Sequence, residues 1–328
     1  MTKTNIFTLV FLLFCFCSVY AQRQKQGSPS VTNFSRADYN AGTQNWDIQQ
    51  DERGIIYFAN NKGLLEFDGT NWRTFPLPNG TIARSVNYDK DGRIYFGGQN
   101  EVGYLETNDL GKPIYTSLIP LIPLEYRSFE DIWEIFIQPN AIYFCSKKGI
   151  FHFRDGQIEV IKPKNQLFES FFQIEDKIII QDLQEGLFEL TNNSIIPIPN
   201  SNFFQKEKII AIFPLENSQK LIFTFTKGLF LMDDSGINPW NVPANDFFRT
   251  HQAYCAIQLN NEKYAVGTPQ NGLLIINKDG EQELHLNKNK GLQNNTVLSI
   301  IQDRQQNLWL GLDNGCLLYT SPSPRDRG

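Results

Sequence analysis

The side chains that could do chemistry in this sequence are few and lie far apart. Its three histidines, His152, His251 and His285, fall in different parts of the chain, and none has the spacing of a metal site. The sequence contains no Gly-x-Ser-x-Gly elbow, no phosphate-binding glycine loop and no Cys–His pairing. We therefore predict no catalytic residue, no metal site and no cofactor, and we expect the histidines to be solvated or satisfied in the core.

Two acidic turns, at residues 51–54 and 89–92, come closest to a ligand motif. The second reads Asp-x-Asp-Gly and could begin a calcium loop, but the remaining ligands and the terminal Glu are missing. A carboxylate that accepts hydrogen bonds from turn amides is the simpler interpretation. A glycosidase-type acid pair stays open, because carboxylates are plentiful and their separation cannot be read from sequence.

Composition bounds the class of protein. The chain has 328 residues, of which 41% are hydrophobic and 20% charged, so it can bury a large core. Aromatic residues make up 13%, which favours pleated sheets over helices. The net charge of −5 argues against direct contact of this segment with nucleic acid.

Residues 1–21 have the order of a secretory signal. Lys3 precedes an apolar run, and Val19-Tyr20-Ala21 follows it, which predicts cleavage after Ala21. The run is shorter than the roughly 20 residues of a membrane anchor, so we expect export to the periplasm. Cys145 and Cys255 lie in different repeats, and we expect buried thiols there instead of a disulfide.

A repeat organises the rest of the chain. Seven short apolar segments each lead to a turn and a glycine, and these glycines are 37 to 46 residues apart. They are Gly63, Gly103, Gly149, Gly186, Gly228, Gly272 and Gly315. A period of about 42 residues with strand-like content is typical of propeller blades. We predict an all-β, seven-bladed β-propeller with four antiparallel strands per blade and no room for a helix within the unit.

Two stretches resemble a known repeat. "NWDIQQDERGIIYFANNKGLLEFDGTNW" and "NNTVLSIIQDRQQNLWLGLDNG" are similar to the two-component regulator propeller repeats of bacterial periplasmic sensors. The resemblance covers residues 40–315, and "GTQNWDI" is similar to the branch whose chains carry a triple-tyrosine domain. It implies that a transmembrane helix and a helix-turn-helix or histidine kinase output follow in the full-length protein, which would be anchored in the inner membrane.

The end of the chain departs from the repeat. After Gly315 the sequence becomes "CLLYTSPSPRDRG", and we interpret residues 316–328 as a non-native, adapter-derived tail on an N-terminal fragment. The propeller would then occupy residues 46–315, with its last blade truncated. Residues 22–45 form an N-terminal segment that could supply one closing strand, but not two.

Ligand binding is expected on the face of the propeller that carries the turns between the second and third strands of each blade. Side chains rich in amides, with arginine and aromatic groups, suit polyhydroxylated ligands. The predicted ligand-binding residues are Asn45, Trp46, Asn61, Gln99, Asn100, Arg127, Arg249, His251, Gln270 and Asn314. Lys147 lies in one of the same turns.

These observations predict a non-enzymatic sensor propeller of a bacterial two-component-type or transcriptional regulator. The expected partners are a glycan or other small polar ligand, a following propeller or triple-tyrosine domain, and a second copy of the chain. Two alternatives remain on the same scaffold: a secreted lyase or glycosidase, and a protein-interaction scaffold.

Overall fold

Seven four-stranded antiparallel sheets follow one another along the chain. The computed structural model describes residues 30–320, so the predicted signal sequence and residues 321–328 lie outside the described residues. Residues 31–319 form one compact unit. This arrangement confirms the prediction of a seven-bladed propeller with four strands per blade.

Each of the first six blades is built from four consecutive strands, which run in chain order from the inner to the outer strand. The first three blades are β2 (Asn45–Gln50), β3 (Ile56–Asn60), β4 (Gly63–Phe67) and β5 (Trp72–Phe75); β6 (Ala83–Tyr88), β7 (Ile94–Gly98), β8 (Glu101–Thr107) and β9 (Pro113–Ser117); and β10 (Ile132–Gln138), β11 (Ala141–Ser146), β12 (Gly149–Arg154) and β13 (Gln157–Ile161).

The next three blades have the same order. They are β14 (Ser170–Ile174), β15 (Lys177–Asp182), β16 (Gly186–Thr191) and β17 (Ser194–Pro197); β18 (Ile209–Pro214), β19 (Lys220–Thr224), β20 (Leu229–Asp233) and β21 (Gly236–Pro239); and β22 (Cys255–Gln258), β23 (Tyr264–Gly267), β24 (Leu273–Ile276) and β25 (Gln282–Leu286). The seventh blade is β26 (Val297–Gln302), β27 (Leu308–Leu312), β28 (Cys316–Thr320) and β1 (Ser30–Phe34).

The middle strands of each blade are apolar because neighbouring blades cover both of their faces. In the first blade every residue of β3 and β4 is buried, whereas the outer strand β5 is partly exposed. The turn between β3 and β4 requires glycine at position 63, where φ is 116° and a Cβ would collide with the carbonyl oxygen of Phe75. The glycines that mark the repeat lie at or next to the start of the third strand, except that Gly103 is the third residue of β8.

The acidic turns join the first and second strands and are structural. Asp51 Oδ1 accepts hydrogen bonds from the backbone N–H of Arg53 and Ile55, at 2.9 and 3.0 Å. Asp89 Oδ1 accepts from the backbone N–H of Asp91 and Arg93, at 2.9 and 3.0 Å. Asp89 Oδ2 likewise accepts from Tyr95 Oη at 3.1 Å. These bonds confirm that the carboxylates satisfy turn amides.

The seventh blade is complete, so the expectation of a blade truncated after Gly315 is wrong. Cys316 and Leu317 continue the repeat as the third strand, and both side chains are fully buried. The N-terminal strand β1 then pairs with β28 as the fourth strand. The N-terminal segment thus supplies one strand, as predicted, and residues 316–320 supply the other. The adapter origin of the segment stays a prediction.

Two helices lie in the connections between blades. Helix α1 (Arg36–Tyr39) joins the seventh blade to the first, and α2 (Ala244–His251) joins the fifth to the sixth. Short 3-10 turns occupy other connections, at Ile119–Leu121, Leu124–Tyr126, Ser201–Phe204, Glu216–Ser218 and Lys288–Lys290. Within residues 30–320, none of these segments has the length and apolar character needed to span a bilayer.

Candidate functional site

The inner strands of all seven blades surround a central cavity of about 460 Å³. Its wall is formed mainly by the first residues of these strands. Glu169, Lys208 and Tyr254, each directly before an inner strand, and Lys147, in the turn between β11 and β12, complete it. Because the inner strands converge on the propeller axis, side chains from distant parts of the chain meet there. We call this cavity the central channel.

A recurrent bulge places side chains in the central channel. In five blades the pairing of the inner strand with its neighbour shifts by one residue near the start of the strand. The bulged residues are Trp46, Arg84, Trp133, Ile210 and Leu298, and all five line the channel. A bulge turns a side chain out of the regular alternation of a strand. The bulges therefore direct these five side chains into the channel wall.

Arg84 lies between two indoles. Its guanidinium carbon is 3.9 Å from the ring centroid of Trp46 and 5.3 Å from that of Trp133, within the range of cation–π attraction. Its Nε donates to Asp131 Oδ1 at 3.2 Å. The two indoles are nearly perpendicular, with centroids 6.3 Å apart, and Trp46 Nε1 donates to Asn61 Oδ1 at 2.7 Å. These contacts hold the arginine and both indoles in fixed orientations.

Two carboxylates lie next to the bulges. Asp47 Oδ1 and Oδ2 accept hydrogen bonds from the backbone N–H of Ile48 and Val86, at 2.8 and 2.9 Å. Loss of solvation deep in the protein nevertheless raises the pKa of Asp47 to about 7. Partial loss of solvation at the channel wall, followed by the nearby charge of Asp47, raises the pKa of Glu134 to about 8, against the lowering effect of Lys208. The channel therefore holds two acids that titrate near neutral pH.

A second polar cluster lies on another part of the channel wall. Glu169 pairs with two lysines: Lys147 Nζ is 2.8 Å from its Oε2, and Lys208 Nζ is 3.5 Å from its Oε1. Ser170, beside it at the start of β14, is 8% exposed. The wall thus carries three cations, counting Arg84, besides its acids.

Replacing Glu134 by Gln should make stability less dependent on pH. A carboxyl whose pKa is raised by folding stabilises the native state at low pH, and this contribution is lost as pH rises from about 4.5 through about 8. Because the Glu134 side chain is exposed to the channel, screening reduces the effect to about 1 kcal/mol. We expect the melting temperature of Glu134→Gln to be about 3 °C above that of the wild type at pH 9 and equal to it at pH 4.

Melting curves recorded by circular dichroism between pH 4 and pH 9 measure this difference. Glu125→Gln, at an exposed site in a loop outside the central channel, is the matched control and should follow the wild type. Parallel pH profiles for wild type and Glu134→Gln would contradict the raised pKa.

Trp46 is the one residue of the predicted ligand set that lines the central channel. Asn61 contacts it through the hydrogen bond to its indole. Asn45 is fully buried and structural: its Nδ2 donates to the Gly315 carbonyl at 2.8 Å, and its Oδ1 accepts from Asn60 Nδ2 at 2.9 Å. Lys147 also reaches the channel, as a loop position.

The other predicted residues are not brought together. Arg127 braces its own loop, with Nε donating to the Ile122 carbonyl at 2.8 Å and Nη2 to the Pro120 carbonyl at 3.2 Å. Arg249 pairs with Asp246 on α2, 3.5 Å apart, where His251 also lies. The remaining four are exposed at separate turns: Gln99, Asn100, Gln270 and Asn314. Sequence reasoning missed Arg84, Trp133, Asp47 and Glu134.

The histidines lie apart from the channel, and His152 differs from its prediction. It is 7% exposed and stacks on Tyr143 with centroids 4.6 Å apart, but neither ring nitrogen has a hydrogen-bond partner among residues 30–320. Burial lowers the pKa of His152. His285 Nε2, by contrast, is 2.8 Å from the carbonyl oxygen of Asn271. No group of three metal-ligating side chains occurs within the described range.

The sequence of the seventh blade matches a family model. Residues 291–314 match the family described as "Two component regulator propeller". The chain contains a two-component regulator propeller repeat. The resemblance expected from the sequence is thereby confirmed, and the matched segment runs from the loop before β26 to the turn after β27.

Known proteins share this propeller. A histidine kinase of Formosa agariphila, named P4, is 22% identical over 88% of this chain. The crystal structure of the extracellular domain of the hybrid two-component system BT4673 from B. thetaiotaomicron is 20% identical, with a TM-score of 0.67 over 88% of this chain. Virginiamycin B lyase from Staphylococcus aureus is 12% identical, with a TM-score of 0.66 over 89% of this chain and 99% of the lyase.

These relatives differ in length as well as in kind. The chain spans 20% of the histidine kinase and 39% of the BT4673 structure. Similarity at such low sequence identity, to two-component proteins and to a lyase alike, establishes the propeller fold. The function of this chain has to be argued from its site.

Proposed function

We propose that this propeller is the exported sensor domain of a bacterial two-component-type or transcriptional regulator and that it binds a small polar ligand, a saccharide, in the central channel. The family match and the kinds of protein that share the fold support a sensor. Signalling across the membrane would use other domains of a longer protein. A following propeller or triple-tyrosine domain, or a second copy, would be its partner.

The observation that carries this proposal is the arrangement of Trp46, Arg84 and Trp133. Two indoles and a guanidinium from three successive blades meet in one cavity. Flat apolar rings with a few fixed polar groups suit a sugar, whose ring faces are apolar and whose rim carries hydroxyl groups. A volume of about 460 Å³ lies within the usual range of ligand pockets.

Binding at this place could bias a conformational equilibrium. A ligand that contacts both Trp46 and Trp133 from the channel would contact the first and third blades together and favour the arrangement of blades that it fits best. A sensor needs only this difference in affinity between two states. Catalysis is not required.

One observation favours an enzyme as the second candidate. Asp47 and Glu134 are acids of the same cavity, and both have raised pKa values. Such carboxyl groups are typical of general acids, and a glycosidase or lyase would use Glu134 in that role. The fold is compatible with a lyase, as virginiamycin B lyase illustrates.

One panel of saccharides separates these functions. Purified protein is mixed with neutral and acidic oligosaccharides, and melting temperature and product formation are followed on the same samples. The sensor proposal expects at least one saccharide to raise the melting temperature without turnover. Turnover that disappears in Glu134→Gln would support the enzyme and overturn the sensor. The absence of any saccharide-dependent shift would contradict the saccharide ligand.

A further inference from the structure

Exposed apolar side chains are concentrated in three successive connections between blades. Of the seven large hydrophobic side chains that are exposed within residues 30–320, four lie in the connections from the second blade to the fifth. These four are Leu121, Leu124, Leu167 and Phe203. A cluster of this kind marks an interaction surface, whereas single exposed apolar residues need no explanation. We call residues 118–131, 162–169 and 198–208 the loop surface.

Contacts between neighbouring connections make the loop surface continuous. Lys162 Nζ lies 4.5 Å from the ring centroid of Tyr126, which joins the first connection to the second. Glu169 Oε1 and Lys208 Nζ, 3.5 Å apart, join the second to the third. Each connection leads from an outer strand to the next inner strand, and the blades share one strand order. All three connections therefore lie at the same end of the propeller.

The loop surface carries lysines beside its apolar side chains. Four lysines of the loop surface and of the adjoining turn between β19 and β20 are exposed, and none forms an ion pair within residues 30–320: Lys162, Lys164, Lys206 and Lys227. Lys227 Nζ lies 5.9 Å from the ring centroid of Phe203. Arg127 donates to backbone carbonyls and so adds another positive charge. Cationic groups thus lie next to exposed leucine and phenylalanine.

The carboxylates at this end of the blades leave a positive excess. Three of them pair with basic side chains: Glu130, Asp131 and Glu169, the last with two lysines. Asp182 and Glu207 are buried and accept hydrogen bonds from backbone N–H groups. The exposed carboxylates without a cation are Glu125 and Glu185. This local charge is opposite in sign to the net charge of the chain, −5.

We propose that the loop surface binds a membrane that contains anionic lipids. Its lysines lie at the level of the lipid phosphates, and Leu124, Leu167 and Phe203 enter the boundary between headgroups and acyl chains. None of the four apolar side chains lines the central channel, so the surface suits a broad partner and not a small molecule. This binding is independent of a ligand in the channel, and either proposal can fail without the other.

Vesicle co-sedimentation of the purified protein tests this proposal. We expect vesicles of equal parts phosphatidylglycerol and phosphatidylcholine to bind about tenfold or more tightly than phosphatidylcholine alone, and more weakly as salt rises. Because the chain as a whole is negative, such binding requires a local cationic surface. Equal binding to both vesicles, or binding to neither, would overturn the proposal.

Apolar variants locate the contact. Leu124→Ser combined with Phe203→Ser should weaken binding to the anionic vesicles about tenfold, because two apolar side chains no longer leave water. Leu110→Ser is the matched control: Leu110 is 80% exposed and Leu124 78%, but Leu110 lies in the turn between β8 and β9, at the opposite end of the blades. It should bind as the wild type does. Circular dichroism checks that each variant is folded.

Lysine variants complete the test. Lys162→Gln combined with Lys227→Gln should weaken binding about tenfold, whereas Lys90→Gln combined with Lys112→Gln should not, because these exposed lysines lie in turns at the opposite end. Equal losses in test and control variants would contradict the assignment to the loop surface. Binding that depends on the lysines but not on Leu124 and Phe203 would contradict membrane insertion and would indicate an acidic protein as the partner.

Discussion

A chain that ends at Gly315 will lose cooperative unfolding and will form oligomers. This deletion removes β28, including the fully buried side chains of Cys316 and Leu317, and leaves β1 without its pairing partner. Each buried side chain of this kind is worth about 2–5 kcal/mol, so the loss is comparable with the whole stability of a domain. The edge of β27 would also become open to pairing with other chains.

Thermal melts by circular dichroism and size-exclusion chromatography measure this effect. A chain that ends at Thr320 is the control, because all seven four-stranded sheets lie within residues 30–320. We expect this control to have the same melting temperature as the full chain and to be equally monodisperse. Cooperative unfolding of the shorter chain, at the temperature of the control, would contradict the closure of the ring through β28.

Trp133→Ala should weaken saccharide binding about 30-fold. The substitution removes one of the two indoles of the central channel and one of the rings near the guanidinium of Arg84. Aromatic residues at the centre of a binding site commonly contribute about 2 kcal/mol, which corresponds to this factor. Calorimetry with the saccharide that raises the melting temperature most in the panel gives the dissociation constants.

Two variants distinguish lost binding from lost structure. Trp133→Phe keeps an aromatic face and should recover most of the affinity. Phe203→Ala removes an aromatic ring that is 45% exposed and lies outside the channel, and it should bind as the wild type does. If Trp133→Ala binds normally while remaining folded, the ligand does not use the channel.

The strands could be predicted because each blade repeats the same pattern of burial and backbone conformation. A buried middle strand, a tight turn and a glycine recur, and only glycine fits where Gly63 approaches the carbonyl of Phe75. The expectation of a truncation after Gly315 depends on the charged and proline-rich residues farther along the chain. Cys316 and Leu317 occupy the positions that Leu64 and Leu65 hold after Gly63, and all four side chains are buried. That local pattern was a sufficient signal for the strand.

The channel could be predicted much less well. A bulge shifts a side chain by one position out of strict alternation, and nothing in the local sequence around Arg84 or Trp133 marks it. The place of Trp46 on the channel wall can be read from the sequence, because the residue lies at the start of an inner strand. The position of Arg127 depends on the loop conformation, through its hydrogen bonds to the carbonyls of Ile122 and Pro120.

A crystal structure of the propeller with the saccharide that raises its melting temperature most would show where the ligand binds. We expect ligand density in the central channel, with a sugar ring against Trp46 or Trp133. Ligand density at the exposed turns of Gln99, Asn100 or Gln270, with the central channel free of ligand, would contradict binding in the channel.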